Sequence, residues 1–199
     1  MEDRTRRSRD EWDQEAAAYD RSAWLDPYLI GDSRARLCGQ TSGRTLEVAI
    51  GTGLNLGFYP PDVPLIGVDF SAGMLTVAAQ RAVAEQARVS LVQADAQRLP
   101  FGDATFDTVV STLAMCAVPD QAAVIAEMHR VLVPGGRLLL VDHIEYARIP
   151  MKWVEPLRTH RHLVRRRPLD LVRRQGFEID RLDRLTLGFV DRIVAHRPN

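Results

Sequence analysis

The sequence predicts one doubly wound α/β domain with a mostly parallel sheet of seven strands. Short apolar runs rich in Val, Leu and Ile alternate with segments of helical periodicity, which implies parallel strands joined by right-handed crossovers. The apolar runs cover residues 44–50, 64–70, 88–93, 106–112 and 137–142. Runs of this kind are typical of strands buried on both faces of a parallel sheet. Two further strand-like segments, 177–185 and 187–196, are joined by a tight turn and complete the seven.

Helix signals lie between these runs. Ser71 is a helix-capping residue type, and the periodic apolar residues after it predict a helix to about Ala87. Pro119 predicts the start of a second helix that ends near Leu132. A third helical region is predicted over residues 150–175.

The composition is that of a globular protein of one domain. Lys plus Arg and Asp plus Glu both number 26 in 199 residues, so the net charge indicates no partner. Cys38 and Cys116 are far apart without a CxxC motif, which disfavours a disulfide framework or a zinc site. No apolar run is long enough for a membrane helix, and the charged N-terminus lacks the apolar stretch of a signal peptide. We therefore expect a cytoplasmic protein without a metal.

The first two predicted strands end in residues suited to a nucleoside. In open α/β sheets, ligands bind beyond the carboxyl ends of the strands, and glycines there let the backbone approach a ligand closely. Gly51 and Gly53 follow the first strand, and Asp69 ends the second. Asp69 either accepts the ribose hydroxyls of an adenosyl group or caps the following helix, for which Ser71 is better placed.

The next two strands also end in polar residues. Asp95 follows the third strand and is either a partner for an adenine amino group or a solvated loop residue. Phe70 or Leu99 could pack on the adenine ring. Ser111 and Thr112 end the fourth strand, close to where a reactive centre would lie.

Taken together, these segments resemble a known enzyme family. The segments LEVAIGTG (46–53), QADAQRLPF (93–101), FDTVVSTLAMCAVPD (106–120) and EMHRVLVPGGRLLLVDH (127–143), with Asp69, resemble the class I S-adenosylmethionine methyltransferases. The chain is most similar to the ubiquinone/menaquinone C-methyltransferases and their phospholipid and thiol methyltransferase relatives. GTGLNLGFYPPDV (51–63) and HRHLVRRRPLDLVRRQGFEI (160–179) resemble the phospholipid/thiol branch in particular.

The resemblance implies a Rossmann-like methyltransferase fold and S-adenosylmethionine as the cofactor. It implies a helical lid over residues 1–40, a cofactor-binding core over 41–145, and substrate-side helices with closing strands over 146–199. The residues expected to bind the cofactor are Tyr19 on the lid, Ala49, Gly51, Thr52, Gly53, Asn55, Asp69, Phe70, Met74, Asp95, Ala96 and Thr112.

Two positions depart from the family pattern. Relatives usually have Gly where this chain has Ala49, and Gly-Cys-His-Leu where it has His160-Arg161-His162-Leu163. A dinucleotide is disfavoured, because the glycine after Gly53 is Gly57, one place late for a pyrophosphate loop. S-adenosylmethionine has no phosphate and does not need that loop.

Several side chains have two interpretations. His143, directly after the fifth strand, is either a general base or an ordinary strand-end histidine. Cys116 is expected to be a small buried residue, and His160 and His162 lack a third ligand for a metal. A further set is either a wall of the substrate pocket or ordinary core: Trp24, Tyr28, Phe58 and Trp153.

The C-terminal third is basic. Arg165, Arg166 and Arg167, with Arg173 and Arg174, either contact anionic lipid or form a solvated face. No aromatic residues are interleaved with them, which disfavours nucleic acid. The predicted function is methyl transfer from S-adenosylmethionine to a small, partly apolar acceptor whose reacting atom (O, N, S or C) stays open. The alternative is a non-catalytic protein that binds S-adenosylmethionine or an anionic lipid surface.

Overall fold

The predicted seven-stranded sheet is present. The computed structural model describes residues 2–115, 117–143 and 168–199. The strands are β1 (Thr45–Val48), β2 (Leu65–Asp69), β3 (Val89–Gln93), β4 (Phe106–Thr112), β5 (Leu132–His143), β6 (Glu178–Leu185) and β7 (Val190–His196). They form one sheet in the order β3-β2-β1-β4-β5-β7-β6. Strands β1 to β5 pair in parallel, and β7 is antiparallel to both of its neighbours.

Six α-helices lie in the described residues: α1 (Glu2–Tyr19), α2 (Asp26–Leu29), α3 (Ser33–Cys38), α4 (Ala72–Ala84), α5 (Gln121–Val131) and α6 (Pro168–Arg174). Ser71 caps α4 as predicted, because its Oγ accepts a hydrogen bond from the backbone N–H of Met74 at 3.0 Å. Helix α4 ends before the predicted Ala87, because Gln86 adopts a left-handed φ of 54°.

The predicted start of α5 at Pro119 is wrong by two residues. Asp120 is the N-cap, and its carboxylate accepts from the backbone N–H groups of Ala122 and Ala123 at 3.1 Å each. Of the helical region predicted over 150–175, residues 150–167 lie outside the described part of the chain. Helix α6 occupies most of the remainder.

Apolar side chains cover both faces of the sheet. Val109, Leu138 and Leu140 pack on the face that carries α5 and α6. The alternate residues Val110 and Leu139 pack on the opposite face with α3. The doubly wound architecture follows from this alternation, because each central strand is buried on both sides. Within the described residues, no helix is long and apolar enough to cross a membrane.

Candidate active site

A cleft lies at the carboxyl ends of the parallel strands. It encloses about 860 Å³, including the space at its mouth. Its lining comes from the ends of β1, β2, β3 and β4 with the loops that follow them, and from α1, α3 and α4. Of the residues predicted to bind the cofactor, those that line the cleft are Tyr19, Ala49, Gly51, Thr52, Asn55, Asp69, Phe70, Met74, Asp95, Ala96 and Thr112.

The turn after β1 shows why Gly53 is not among them. Gly51 has a φ of 57°, and a Cβ built there would meet no protein atom within 4 Å, so this glycine borders open space. Gly53 has a φ of 80°, and its Cβ would lie 2.8 Å from Cδ1 of Leu56 and 3.4 Å from Cα of Ala78. Gly53 therefore lets the turn pack against α4. Ala49, where relatives usually have Gly, adopts a φ of 57°. Left-handed backbone costs a non-glycine residue roughly 1–2 kcal/mol.

Asp69 is a buried carboxylate held by backbone donors. The N–H of Gly51 donates to Oδ2 at 2.9 Å, and the N–H of Ser71 donates to Oδ1 at 3.0 Å. Burial raises the pKa of Asp69 to about 6, while these hydrogen bonds oppose the shift. Because Ser71 caps α4, Asp69 is not needed as the cap. Each of its oxygens can still accept another hydrogen bond.

The ends of β2 and β3 form the next part of the cleft. Oδ1 of Asp95 accepts from the backbone N–H of Gln97 at 2.8 Å, which orients the half-buried carboxylate. Phe70 is half-buried and lines the cleft, whereas Leu99 lies in the core and does not. Of the two residues considered for packing on the adenine ring, only Phe70 lines the cleft, and its contact with adenine stays a prediction.

In another part of the cleft, Asn55 forms hydrogen bonds with two charged residues, Glu47 and Arg34. Its Nδ2 donates to Oε1 of Glu47 at 2.6 Å and to Oγ1 of Thr112 at 3.1 Å. Its Oδ1 accepts from Nη1 of Arg34 at 2.6 Å. Glu47 and Arg34 line the cleft but were missed as site residues. An acidic residue inside an apolar strand was a signal for Glu47, whereas nothing near Arg34 in the sequence marks it.

Glu47 is an almost fully buried carboxylic acid. Its side chain is 2% exposed, and Oε2 accepts from the hydroxyl of Tyr59 at 2.9 Å. Burial raises the pKa of Glu47 to about 7, and the hydrogen bonds from Tyr59 and Asn55 limit the rise. Its charge therefore changes near neutral pH.

Helix α1 covers one side of the cleft. Trp12 and Tyr19 both line it, and their rings pack edge to face at 5.7 Å. Oδ1 of Asp13 accepts from Oγ of Ser71 at 2.6 Å and from the backbone N–H of Gly73 at 2.9 Å. A Cβ at Gly73 would lie 2.9 Å from the backbone oxygen of Asp13. The absence of a side chain at Gly73 therefore permits the close packing of α1 on α4.

A second contact joins the end of α1 to the glycine turn. Oγ1 of Thr52 donates to Oδ1 of Asp20 at 2.6 Å, and Nε of Arg81 donates to the backbone oxygen of Thr52 at 2.9 Å. Arg81 also forms an ion pair with Asp20. The end of the covering helix and a turn that lines the cleft are thus held by the same residues.

His143 does not line the cleft. It is half-buried at the end of β5, and its backbone N–H donates to Oδ1 of Asp142 at 2.7 Å. Asp142 also accepts from the backbone N–H of Met115 at 2.5 Å. The proposed role of His143 as a base stays a prediction. Among the described residues, no group of His, Cys, Asp and Glu is arranged to hold a metal ion.

The core interpretation of three aromatic residues is wrong, because Trp24, Tyr28 and Phe58 are 67%, 75% and 43% exposed. None of them lines the cleft formed by the described residues, and their role as a wall of the substrate pocket stays a prediction. Arg173 and Arg174 are exposed at the end of α6. The other residues whose roles the sequence left open lie outside the described residues: Cys116, Trp153, His160, His162, Arg165, Arg166 and Arg167.

Comparison with known proteins agrees with this geometry. Residues 46–140 match the family described as a methyltransferase domain. The chain is 40% identical over 115 residues to a phosphatidylethanolamine N-methyltransferase of Cereibacter sphaeroides, covering 57% of each chain. It is 42% identical over 102 residues to a demethylmenaquinone methyltransferase of Deinococcus radiodurans, covering 50% of this chain and 42% of the relative. The matched segment thus spans about half the length of these curated relatives.

The fold is also found in solved structures. The crystal structure of an S-adenosylmethionine-dependent methyltransferase of Thermotoga maritima, described as a possible histamine N-methyltransferase, superposes with a TM-score of 0.75. Identity is 20%, and the match covers 96% of this chain and 99% of the other, so this likeness concerns the fold. None of these similarities supports the non-catalytic alternative. Residues 46–140 are thus similar to methyltransferases, and the fold is one that an S-adenosylmethionine-dependent methyltransferase also has.

Proposed function

We propose that the chain binds S-adenosylmethionine in the cleft and transfers its methyl group to a small, partly apolar acceptor. The observation that carries the proposal is Asp69: a buried carboxylate, oriented by the turn after β1, in the wall of an open cleft. Such a group can accept hydrogen bonds from both hydroxyls of a ribose.

The other residues of the cleft fit the adenosyl group. Gly51 leaves room where a side chain would stand, so a ligand can approach the backbone. Phe70 offers a ring face or edge for an adenine, and Asp95 can accept from the adenine amino group. The set expected from the sequence, without Gly53, is what we propose as the cofactor site.

The wall after β4 supports a partly apolar acceptor. Leu113, Ala114, Ala117, Val118 and Pro119 line the cleft there. These side chains offer little hydrogen bonding and favour apolar surface. The acceptors suggested by the names of the relatives are the amine of phosphatidylethanolamine and demethylmenaquinone.

We propose that the protein acts mainly by positioning. When bound, S-adenosylmethionine supplies a methyl group already activated on a sulfonium. Trp12 and Tyr19 on α1 cover the cleft and exclude water, while the strand ends hold the reactants in line. No His, Cys or Lys is among the described residues that line the cleft. The lining groups that could accept a proton near neutral pH are the carboxylates Glu47 and Asp69, whose pKa values burial raises to about 7 and about 6. Positioning alone suffices for a nucleophile that needs no base or that ionises by itself.

Contact with anionic lipid and a cytoplasmic location are kept as proposals. The first depends on the basic C-terminal third, of which Arg173 and Arg174 are exposed. The second depends on the cysteine usage, since Cys38 is buried and unpaired.

A turnover assay tests the proposal. The protein is incubated with S-adenosylmethionine and, separately, with amine, phenol, thiol and quinol acceptors, including phosphatidylethanolamine in vesicles. We expect S-adenosylhomocysteine and a methylated acceptor in equal amounts for one class, and a much slower rate with Asp69→Ala at limiting cofactor. Tight binding of S-adenosylhomocysteine without turnover on any acceptor would favour the non-catalytic alternative.

A further inference from the structure

The loop after β3 carries part of the cleft wall. Its lining residues are Ala94, Asp95, Ala96 and Gln97. The backbone N–H of Ala94 donates to the backbone oxygen of Asp69 at 2.9 Å, which fixes the start of the loop to the sheet. The backbone N–H of Arg98 donates to the backbone oxygen of Asp95 at 2.9 Å and closes a turn. The position of this turn also depends on what holds the chain after Arg98.

Arg130 on α5 holds the chain after this turn. Its Nη2 donates to the backbone oxygen of Leu99 at 3.2 Å, and its Nη1 donates to that of Phe101 at 2.8 Å. Nη1 also donates to Oδ1 of Asp103 at 2.7 Å. Nε and Nη2 donate to the two carboxylate oxygens of Glu127 at 2.7 and 2.8 Å. A guanidinium has five N–H groups, so each of them has an acceptor and the orientation of the side chain is fixed.

Glu127 completes the attachment of the loop to α5. Its Oε2 also accepts from the backbone N–H of Leu99 at 2.7 Å, so both polar groups of the Leu99 backbone bond to the Glu127–Arg130 pair. The hydrogen bond from Arg130 lowers the pKa of Glu127, which keeps the carboxylate ionised at neutral pH. Bidentate pairs of arginine and carboxylate combine strength with a defined geometry. The pair is therefore a rigid support for the loop.

The Glu127–Arg130 pair can act on the cleft only through the loop. Neither residue is among the described residues that line the cleft. Because Leu99 follows Asp95 closely, fixing the Leu99 backbone restricts where the Asp95 carboxylate can lie. The Leu99 side chain is itself buried in the core, so loss of Arg130 should loosen the loop without unfolding the protein. A misplacement of about 1 Å in a binding group is enough to weaken its contact with a ligand.

We propose that Arg130 is a positioning residue for recognition of the nucleobase, because it holds Asp95 where the carboxylate meets the amino group of adenine. This inference rests on the proposed function, which assigns Asp95 to that amino group. Arg130 itself touches no ligand. Its loss should lower the selectivity of the site for adenine, which a merely structural arginine would not affect.

The test compares two ligands that differ at the amino group of the base: S-adenosylhomocysteine and S-inosylhomocysteine, in which a keto oxygen replaces that group. Their affinities for wild type, Arg130→Met and the milder variant Glu127→Gln are measured by calorimetry. Arg197→Met is the matched control, since Nη1 of Arg197 donates to the backbone oxygens of His129 and Leu132 at the end of the same helix. Urea unfolding of each variant measures the loss of stability separately.

We expect wild type and Arg197→Met to prefer S-adenosylhomocysteine by roughly 10-fold or more, as for a hydrogen bond to a charged group. Arg130→Met should reduce the preference to about threefold or less, mainly by weakening the binding of S-adenosylhomocysteine. Glu127→Gln should be intermediate, because its amide keeps one acceptor oxygen. If Arg130→Met does not fold, Glu127→Gln alone decides the test.

Three outcomes overturn the inference while leaving the proposed function intact. Equal weakening of both ligands in Arg130→Met and Glu127→Gln, with the preference kept, would show that the pair only stabilises the fold. The same loss of preference in Arg197→Met would assign the effect to a general weakening of α5. Equal affinity of wild type for both ligands would mean that Asp95 does not contact the amino group. If wild type binds neither ligand, the proposed function is wrong and the inference falls with it.

Discussion

Glu47 makes the stability of the ligand-free protein depend on pH near neutrality. Its pKa is about 7 in the folded protein against an ordinary value of 4.5. The folded state therefore binds the Glu47 proton more tightly than the unfolded state does. The resulting stabilisation of the folded state is fully present below about pH 4.5 and is lost as pH rises through 7. The shift corresponds to about 3 kcal/mol of unfolding free energy.

Glu47→Gln should remove this pH dependence. The amide can still accept from Asn55, and its NH₂ can donate to Tyr59 if that hydroxyl turns to accept. The variant should be more stable than wild type by about 3 kcal/mol at pH 8 and by under about 1 kcal/mol at pH 5.

Urea unfolding of the dialysed, ligand-free proteins at pH 5, 6.5 and 8 measures the difference. Asp62→Asn, at an exposed position, is the control and should follow wild type at each pH. A constant difference between Glu47→Gln and wild type from pH 5 to 8 would refute the reasoning, because it would mean that Glu47 does not change charge in that range.

Three further predictions concern the cleft and its cover. Asp69→Ala should weaken S-adenosylhomocysteine binding by about 1.5–3 kcal/mol, and wild-type affinity should fall as pH drops below about 6, where Asp69 becomes protonated. An affinity of the variant that calorimetry finds unchanged would remove Asp69 from the site. Gly73→Ala should push α1 off α4 and speed hydrogen exchange across residues 2–19. Gly102→Ala is the control and should not, because the added Cβ would have its nearest neighbouring atom at 3.6 Å. Equal exchange in both variants would contradict the packing argument. His143→Ala should lower kcat by less than about tenfold with the same pH profile, because His143 does not line the cleft; a loss of 10²-fold or more would support a base.

The sheet and most of the site were predictable because their signals are local. Apolar runs followed directly by a polar residue identify strand ends, and parallel strands bring those ends together at one edge. This is why the sequence alone is enough to predict that Asp69, Asp95 and Thr112 line one cleft.

The missed features depend on contacts between distant segments. Gly53 resembles Gly51 in sequence, but only the approach of Leu56 and Ala78 shows that it serves packing. Arg34 reaches the cleft from α3 and is positioned by Asp26 and Asn55, which no local pattern predicts.

The exposure of aromatic residues at the surface was not predictable from the sequence for a related reason. Trp24 and Tyr28 are of residue types that usually pack inside, yet they stack edge to face at 6.5 Å on the outside of the protein. Burial depends on which face of a short helical segment meets the rest of the chain. In a segment as short as α2, Asp26–Leu29, periodicity is too brief to identify that face.

A crystal structure of the complex with S-adenosylhomocysteine tests the central claim most directly. The account predicts one ligand in the cleft, with its ribose hydroxyls within hydrogen-bonding distance of the Asp69 carboxylate and its adenine beside Phe70 and Asp95. A ligand bound elsewhere, or a ribose that does not contact Asp69, would contradict it.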